Sequence, residues 1–407
     1  MKILIVTQYF WPENFRINDL ALGLQERGHQ VSVLTGKPNY PEGSFFQGYH
    51  FWGRSRETWE GIPVFRAPLV PRGKRKFQLA LNYLSFAFFG SLLALKVGKK
   101  DYDAIFVYEI SPITVGLAAI TAKWVSKAPL YFWVLDLWPQ SLSAAGGFQN
   151  PTLLGMVDKL TRWIYRHCDK ILVSSASFSQ AIQTQGVAEE KIVYFPQWAE
   201  EEFSLHQEAL SAEEAAQLPQ GFVILYAGNL GEAQGFETLL DAAEKLKGQP
   251  RIQWVILGDG RKGDYVRSEV LRRGLEGCFH LLGRKPIQKM PAYFAAADCL
   301  LVSLKKDPLF ALTLPAKVQA YMAFGAPILG VLEGEGADVI LAAQAGWIAP
   351  PGEPDRLAQA VLDLAAQSPE ALALMGKKAQ DYARTHFDRE KLLGQLETLF
   401  AFGHPNP

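Results

Sequence analysis

The sequence predicts an α/β protein of two doubly wound domains, each a parallel sheet covered on both faces by helices. Three observations carry this. Short apolar runs alternate with amphipathic stretches of helical length, the pattern of βαβ units. The runs are largely apolar throughout rather than alternating, as strands buried on both faces must be. At 407 residues the chain exceeds one ordinary domain and suits two of about 200. Pro196 and the acidic run AEEEF mark the change, giving a first domain over residues 1–198 and a second over 199–384. Three helical stretches near the end, 355–367, 369–383 and 389–400, have no strand between them. They cannot extend a sheet, and residues 385–407 are expected to cross back to the first domain.

Composition bounds the function. Apolar residues make up 49% of the chain and charged ones 20%, enough for a core in each half and incompatible with wholesale disorder. The formal net charge is zero, which argues against a nucleic-acid partner held by bulk electrostatics. Cys168, Cys278 and Cys299 are far apart and form no CxxC pair. Neither a disulfide framework nor a zinc site is implied, and a reducing cytoplasm fits. The opening MKILIVTQYF has no small-residue cleavage site and reads as a first buried strand.

That strand, residues 3–7, runs into the break Tyr9-Phe10-Trp11-Pro12-Glu13-Asn14, a helix over 16–27 and a strand over 30–34. Doubly wound sheets place ligands at such strand ends. The loop lacks GxGxxG, which disfavours a dinucleotide. Glu13, Asn14 and Arg16 offer polar contacts for something like a sugar, or they merely cap the helix. Further strands are expected at 64–67, 104–108, 130–135 and 170–174, with helices at 114–126 and 153–166. Glu109 and Asp136 fall just past two of these strands, on the rim of the first loop. A carboxylate there can orient a substrate hydroxyl or take its proton, or form a turn.

Residues 77–95 stand apart: nineteen residues without a charge, preceded by PRGKRK. The length nearly meets that of a membrane span. Gln78, Asn82 and Ser85 recur at i, i+4 and i+7, which predicts a partly exposed helix rather than a spanning one. Arg72, Lys74, Arg75 and Lys76 at one end, with Lys96, Lys99 and Lys100 at the other, suit anionic headgroups at about 1 kcal/mol each. A helix of the fold that also touches the bilayer is expected, with a crossover helix ringed by solvated charges as the alternative.

The second half restarts the pattern at GFVILYAGNLGEAQGFETLLDAAEKL, a strand, a loop carrying Gly228, Gly231 and Gly235, and a helix. A second strand ends at Gly258-Asp259-Gly260 and is followed by Arg261, and a third ends at Gly283-Arg284. SLKKDPLFALTLPAKVQAYMAFGAPILG (303–330) then supplies a strand end, a loop at 309–314, a helix from Pro315 to Gly325 and another strand. The start of that helix aims free N–H groups at an anion, with Thr313, Leu314 and Lys317 beside it. Each loop also reads as ordinary α/β punctuation. Four converging on one rim predict a nucleotide-diphosphate pocket built from Gly228, Gly231, Gly258, Gly260, Arg261, Arg284, Thr313, Leu314 and Lys317. No DxD-type metal loop is visible, so no metal is expected.

The motifs YFWPENFRINDLA, GHQVSVLTGKPNYPEG, DLWPQS, GNLGEAQGFETLLDAA and PAKVQAYMAFGAPIL span nearly the whole chain. Together they resemble retaining glycosyltransferases of the GT-B fold, family four, in the WbuB-like branch associated with L-fucosamine or N-acetylfucosamine transfer. The resemblance implies two Rossmann-like domains facing across a cleft, the nucleotide sugar mainly on the second and the acceptor mainly on the first. It implies a metal-independent hexosyltransferase with a UDP-sugar co-substrate and no other cofactor. Its catalytic residues would be Asp136, Lys317 and Glu109, and Glu13, Asn14 and Arg16 would meet the acceptor. The acceptor would be a lipid-linked or surface-polysaccharide saccharide, met by a cytoplasmic enzyme on the anionic inner leaflet.

Departures from the family pattern are specific. Its two glutamates fall at Leu312 and Ala320, its diphosphate-gripping Arg and Lys at Asn229 and Gln234, and its catalytic-loop histidine at Leu135. Asn229 and Gln234 join the donor set on that correspondence. A nucleotide-sugar epimerase or hydrolase, or a non-catalytic partner with a degenerate donor site, stays open beside transfer.

Overall fold

Strands with no polar alternation need cover on both faces, and here two sheets receive it. This computed structural model describes residues 1–73, 75–144, 150–199 and 209–402. The first sheet holds β1 (Lys2–Thr7), β2 (Gln30–Gly36), β3 (Arg56–Trp59), β4 (Ile62–Ala67), β5 (Ala104–Glu109), β6 (Leu130–Val134), β7 (Lys170–Val173) and β8 (Ile192–Tyr194). Their order is β3-β4-β2-β1-β5-β6-β7-β8. The second sheet holds β9 (Phe222–Ala227), β10 (Ile252–Leu257), β11 (Phe279–Gly283), β12 (Cys299–Ser303), β13 (Ile328–Val331) and β14 (Gly346–Ala349), in the order β11-β10-β9-β12-β13-β14. Every pairing is parallel except β3 with β4. Central strands such as β5, β6 and β10 are buried at every residue, which is why their sequences do not alternate. The winding reverses between β1 and β5 and between β9 and β12, and these are the positions where such sheets open a crevice for ligand.

The chain divides into two compact units, Met1–Pro196 with Glu390–Pro407, and Gln197–Arg389. In the first, helix Arg389–Phe402 packs beside β6: Tyr131 Oη donates to the Leu399 carbonyl at 2.9 Å, and the Phe400 ring stands 4.8 Å from Tyr131. Arg27, just past α1 (Arg16–Glu26), pairs with Glu390 at 2.7 Å and Glu397 at 2.8 Å. In the second unit, apolar side chains fill both faces of the sheet. Leu225, Val255, Val302 and Val318 lie in one layer, and Ile224, Trp254, Leu240 and Leu301 in the other.

Several local expectations need correction. β3 is a polar edge strand that its sequence disguises; Glu60 (φ 47°) and Gly61 (φ 82°) turn it tightly onto β4. The expected loop at 309–314 contains a helical turn, Pro308–Ala311, because Asp307 accepts the Leu309 N–H at 2.9 Å. Pro315 caps the next helix, Ala316–Phe324, from outside rather than opening it. In α2 (Lys76–Val97) the polar stripe faces inward. Asn82 is fully buried and Ser85 half-buried, and the face left in solvent is apolar. Lys74, the acidic run after Ala199 and the tail beyond 402 lie outside the described residues.

Phe400 is fully buried although it is remote in sequence from the strands it covers. Phe400→Ala is expected to lower the first unit's unfolding free energy by about 3–5 kcal/mol in urea denaturation.

Candidate active site

In the second unit, the carboxyl ends of β9, β10 and β11 and the start of the Ala316–Phe324 helix enclose a cavity of about 450 Å³. That is a size suited to a small-molecule ligand. Gly228, Asn229, Gly258, Asp259, Arg284 and Lys285 line its polar side. Ile287, Met290 and Phe294 form an apolar wall, with Lys317, Ala320 and Tyr321 on the helix side. Gly258 has φ 147°, and a Cβ there would overlap the Gly228 carbonyl oxygen, so the two strand ends approach backbone to backbone. Gly228 has φ 149°, and a Cβ on it would come within 2.6 Å of Lys317 Nζ.

Lys317 is the chemical centre of this cavity. Its ammonium lies 4.9 Å from the Tyr226 ring centre and makes one long hydrogen bond, 3.4 Å, to Tyr226 Oη. That hydroxyl is fixed by donating to the Asn229 carbonyl at 2.7 Å. Among the described residues no carboxylate pairs with Lys317, and burial pushes its ammonium down to about 8. Such a group gains most from an anion that brings charge into the cavity. The start of the Ala316–Phe324 helix, where Ala316 lines the cavity, adds free N–H groups.

The donor residues expected from sequence divide. Gly228, Asn229, Gly258, Arg284 and Lys317 line the cavity, whereas Gly231, Gln234, Gly260, Arg261, Thr313 and Leu314 do not. Gln234 Oε1 takes the Gly231 N–H at 3.0 Å and so closes its own turn. The Thr313 hydroxyl donates back to the Leu309 carbonyl at 2.9 Å. Leu314 belongs to the core, Arg261 points to solvent, and Gly260 lets the β10 loop approach Leu230 and Asn229. Sequence reading missed the apolar wall; its signal is the helical spacing of Ile287, Met290 and Phe294 directly after Pro286.

In the first unit, the rim at the ends of β1, β5 and β6 gathers Tyr9, Arg72, Tyr83, Glu109 and Asp136. Asp136 is half-buried, and burial raises its carboxyl to about 7 despite the opposing Arg72 charge. Arg72 Nη1 donates to Tyr9 Oη at 3.2 Å, and its guanidinium lies 5.3 Å from the Tyr40 ring centre. Tyr83 Oη lies 3.4 Å from Ser111 Oγ. Glu109, expected to be catalytic, is wholly buried, and among the described residues its oxygens find no hydrogen-bond partner of normal geometry. Burial first, and then the Asp136 charge, push its carboxyl well above the usual carboxylate range.

Glu13 is likewise corrected. It is 2% exposed and accepts the N–H groups of Phe10 at 3.2 Å and of Asn39 and Tyr40 at 2.8 Å. Its carboxyl therefore staples the loops after β1 and β2, and burial, opposed by those N–H groups, raises it to about 7. Asn14 is exposed on the rim and Arg16 half-buried at the start of α1. Among the described residues no three His, Cys, Asp or Glu side chains cluster to hold a metal ion.

Comparison with known proteins follows the same division. Residues 14–198 match the family model described as a glycosyl transferase 4-like domain, and residues 221–367 match glycosyl transferases group 1. Over 339 residues the chain is 28% identical to the putative colanic acid biosynthesis glycosyl transferase WcaI of Escherichia coli K12, covering 80% of this chain and 82% of that one. It is also 28% identical over 240 residues to the probable glycosyltransferase WbjE of Pseudomonas aeruginosa, 56% of this chain and 58% of that one. The crystal structure of Anabaena Alr3699/HepE with UDP and glucose superposes at a TM-score of 0.68 and 18% identity, covering 98% of this chain and 99% of the other. With a 4-like domain matched in its first unit and a group 1 domain in its second, the chain belongs to the glycosyltransferases of the GT-B fold, family four.

Proposed function

We propose that this enzyme moves a sugar, an N-acetylated deoxyhexosamine, from a UDP-sugar to a lipid-linked saccharide of surface-polysaccharide assembly, with retention at the anomeric carbon. The observation that carries the donor half is Lys317, a buried ammonium without a carboxylate partner in a cavity at the switch point. The apolar wall of Ile287, Met290 and Phe294 suits a base, and UDP is the nucleotide bound in the HepE complex. The acceptor half is supported by the relative named for colanic acid biosynthesis. Helix α2, apolar outside and flanked by bases, lies in the same unit as Asp136 and supports peripheral residence on an anionic inner-membrane surface. The choice of sugar follows the motif resemblance to the WbuB-like branch.

Transfer breaks the bond from the anomeric carbon to the diphosphate oxygen and passes through an oxocarbenium-like sugar. Negative charge then grows on the departing diphosphate. Lys317, Arg284 and the N–H groups opening the Ala316–Phe324 helix answer that charge. The acceptor oxygen forms the new bond on the face the diphosphate leaves. Its proton passes to the Asp136 carboxylate or to the departing phosphate oxygen.

Incubation with a panel of UDP-sugars tests this reading. UDP release should require a membrane-extracted lipid-linked acceptor, and NMR of the product should show the donor's anomeric configuration. Release with donor alone would indicate hydrolysis instead, and absence of UDP binding at millimolar ligand in calorimetry would remove the donor assignment. Lys317→Ala is expected to cut transfer at least ~100-fold, as loss of a charge-stabilising donor does.

The free ammonium titrates at about 8 and must be charged to hold diphosphate. UDP affinity should therefore fall above pH 8, approaching about tenfold per pH unit, with no such fall in Lys317→Arg. Asp136 must be ionised, and its carboxyl sits at about 7. The kcat/KM for acceptor should fall as pH drops below about 7. Asp136→Asn should lose that acid limb along with ~10²–10⁴ of the rate.

A further inference from the structure

We propose that α2 lies in the plane of an anionic bilayer, held there by the apolar face it turns away from the protein. This assigns the face and orientation of membrane contact, and it stands whether or not the transfer reaction above is correct. From Phe77 to Leu95 every exposed residue of the helix is apolar. The large ones, Phe77, Leu81, Leu84, Phe88, Leu92 and Leu95, are 45–61% exposed and follow one another by three or four positions. They form a single stripe along a helix about 33 Å long. Trp52, 77% exposed, widens it: with Phe51 it packs edge-on against Phe89 at 6.3 and 5.5 Å. A continuous outward patch of this kind marks a contact surface.

Two observations commit the face to a bilayer rather than to another occupant. From Gly61 to Lys100 the chain carries no acidic residue, and bases gather at both ends of the stripe. Arg75 and Lys76 precede it, and Lys96, Lys99 and Lys100 follow, all exposed. A second copy laid along the stripe, parallel or antiparallel, would bring basic end against basic end. A sheet of anionic headgroups satisfies both ends at once.

The helix is long and apolar enough to cross a membrane, but its other face is committed to the fold. Phe86, Ala87, Gly90 and Ala94 are buried, and α2 packs on α3 (Val115–Ser126), β2 and β4. Asn82 accepts from Gln8 Nε2 at 2.7 Å and donates to the Val70 carbonyl at 2.6 Å. Spanning would tear these groups out, whereas lying flat keeps them.

Flotation of the full chain with vesicles tests the proposal. The protein is expected to float with vesicles of phosphatidylcholine containing phosphatidylglycerol, and far less with phosphatidylcholine alone. Leu84→Glu/Phe88→Glu should reduce binding at least tenfold while keeping the far-UV spectrum and melting temperature. Leu271→Glu, at a residue equally exposed in the second unit, should leave it unchanged. Lys96→Gln/Lys99→Gln should cost about fivefold per cation at low salt.

An environment-sensitive label on Leu81→Cys, Phe88→Cys or Leu95→Cys in a Cys278→Ser background should report the same shallow depth at all three positions. A graded depth along the helix would overturn the in-plane orientation. Failure to float, or equal loss with Leu271→Glu, would overturn the docking face. So would a dimer that Leu84→Glu/Phe88→Glu abolishes in the absence of vesicle binding.

Discussion

An ammonium shut away from water, with no carboxylate paired to it among the described residues, is the constraint around which the second unit is arranged. Depressing Lys317 from its ordinary 10.5 to about 8 corresponds to roughly 3 kcal/mol of lost solvation. The side chain is held in that place by its immediate neighbours. Gly228 provides the space its Cε and Nζ occupy, and Gly258 lets the Gly228 backbone lie where it does. Tyr226 offers a ring face and a hydroxyl already held by Asn229. On the proposed reading, an incoming diphosphate would restore the partner that solvent would have provided. Cavity and charge fit the diphosphate leaving group of the transfer proposed above better than a neutral sugar.

The first unit deploys its polar groups differently. Glu13, Asn39, Asn82 and Gln8 are buried and engaged with one another or with backbone. They tie the loops after β1 and β2 to α2 and build the rim. Asp136 is left as the half-buried carboxyl on that rim, with Arg72 opposing the effect of burial. Glu109 sits sealed beneath, where burial and the Asp136 charge both disfavour its ionised form. The Asp136 carboxyl, raised to about 7, is the group of this pair that can take up a proton near neutral pH.

The fold was legible because burial on both faces writes itself as apolar runs; β1, β5, β9 and β10 stand where those runs fall. β3 was not, since an edge strand with one solvated face carries Arg56 and Glu57 and owes its existence to the Glu60–Gly61 turn. Cavity glycines could be read because close backbone approach demands them. Polar residues could not be sorted so easily. Gln234, Thr313 and Glu13 look like ligand contacts in sequence, yet each spends its hydrogen bonds on local backbone, a competition that spacing alone does not reveal. In α2 the polar stripe predicts a partly exposed helix but does not tell which face is wet. Asn82 is hydrogen-bonded inside the fold, and the apolar residues are the ones left facing out.

The carboxylates that the family pattern leads one to expect at Leu312 and Ala320 are replaced consistently with this electrostatic design. Ala320 lines the cavity and also belongs to the core, so the wall at that point is small and apolar. Leu312 caps the short Pro308–Ala311 turn. With both acids gone, the charged residues lining the cavity are Lys317, Arg284 and Lys285 against Asp259. Asp259 in turn directs one oxygen to the Gly260 N–H at 2.8 Å, supporting its own loop. A glutamate near Lys317 would have raised its pKa and neutralised part of the field. Without it, the cation stays desolvated, and in the proposed transfer the growing charge of the departing diphosphate would meet a surplus of positive potential from side chains and helix terminus together.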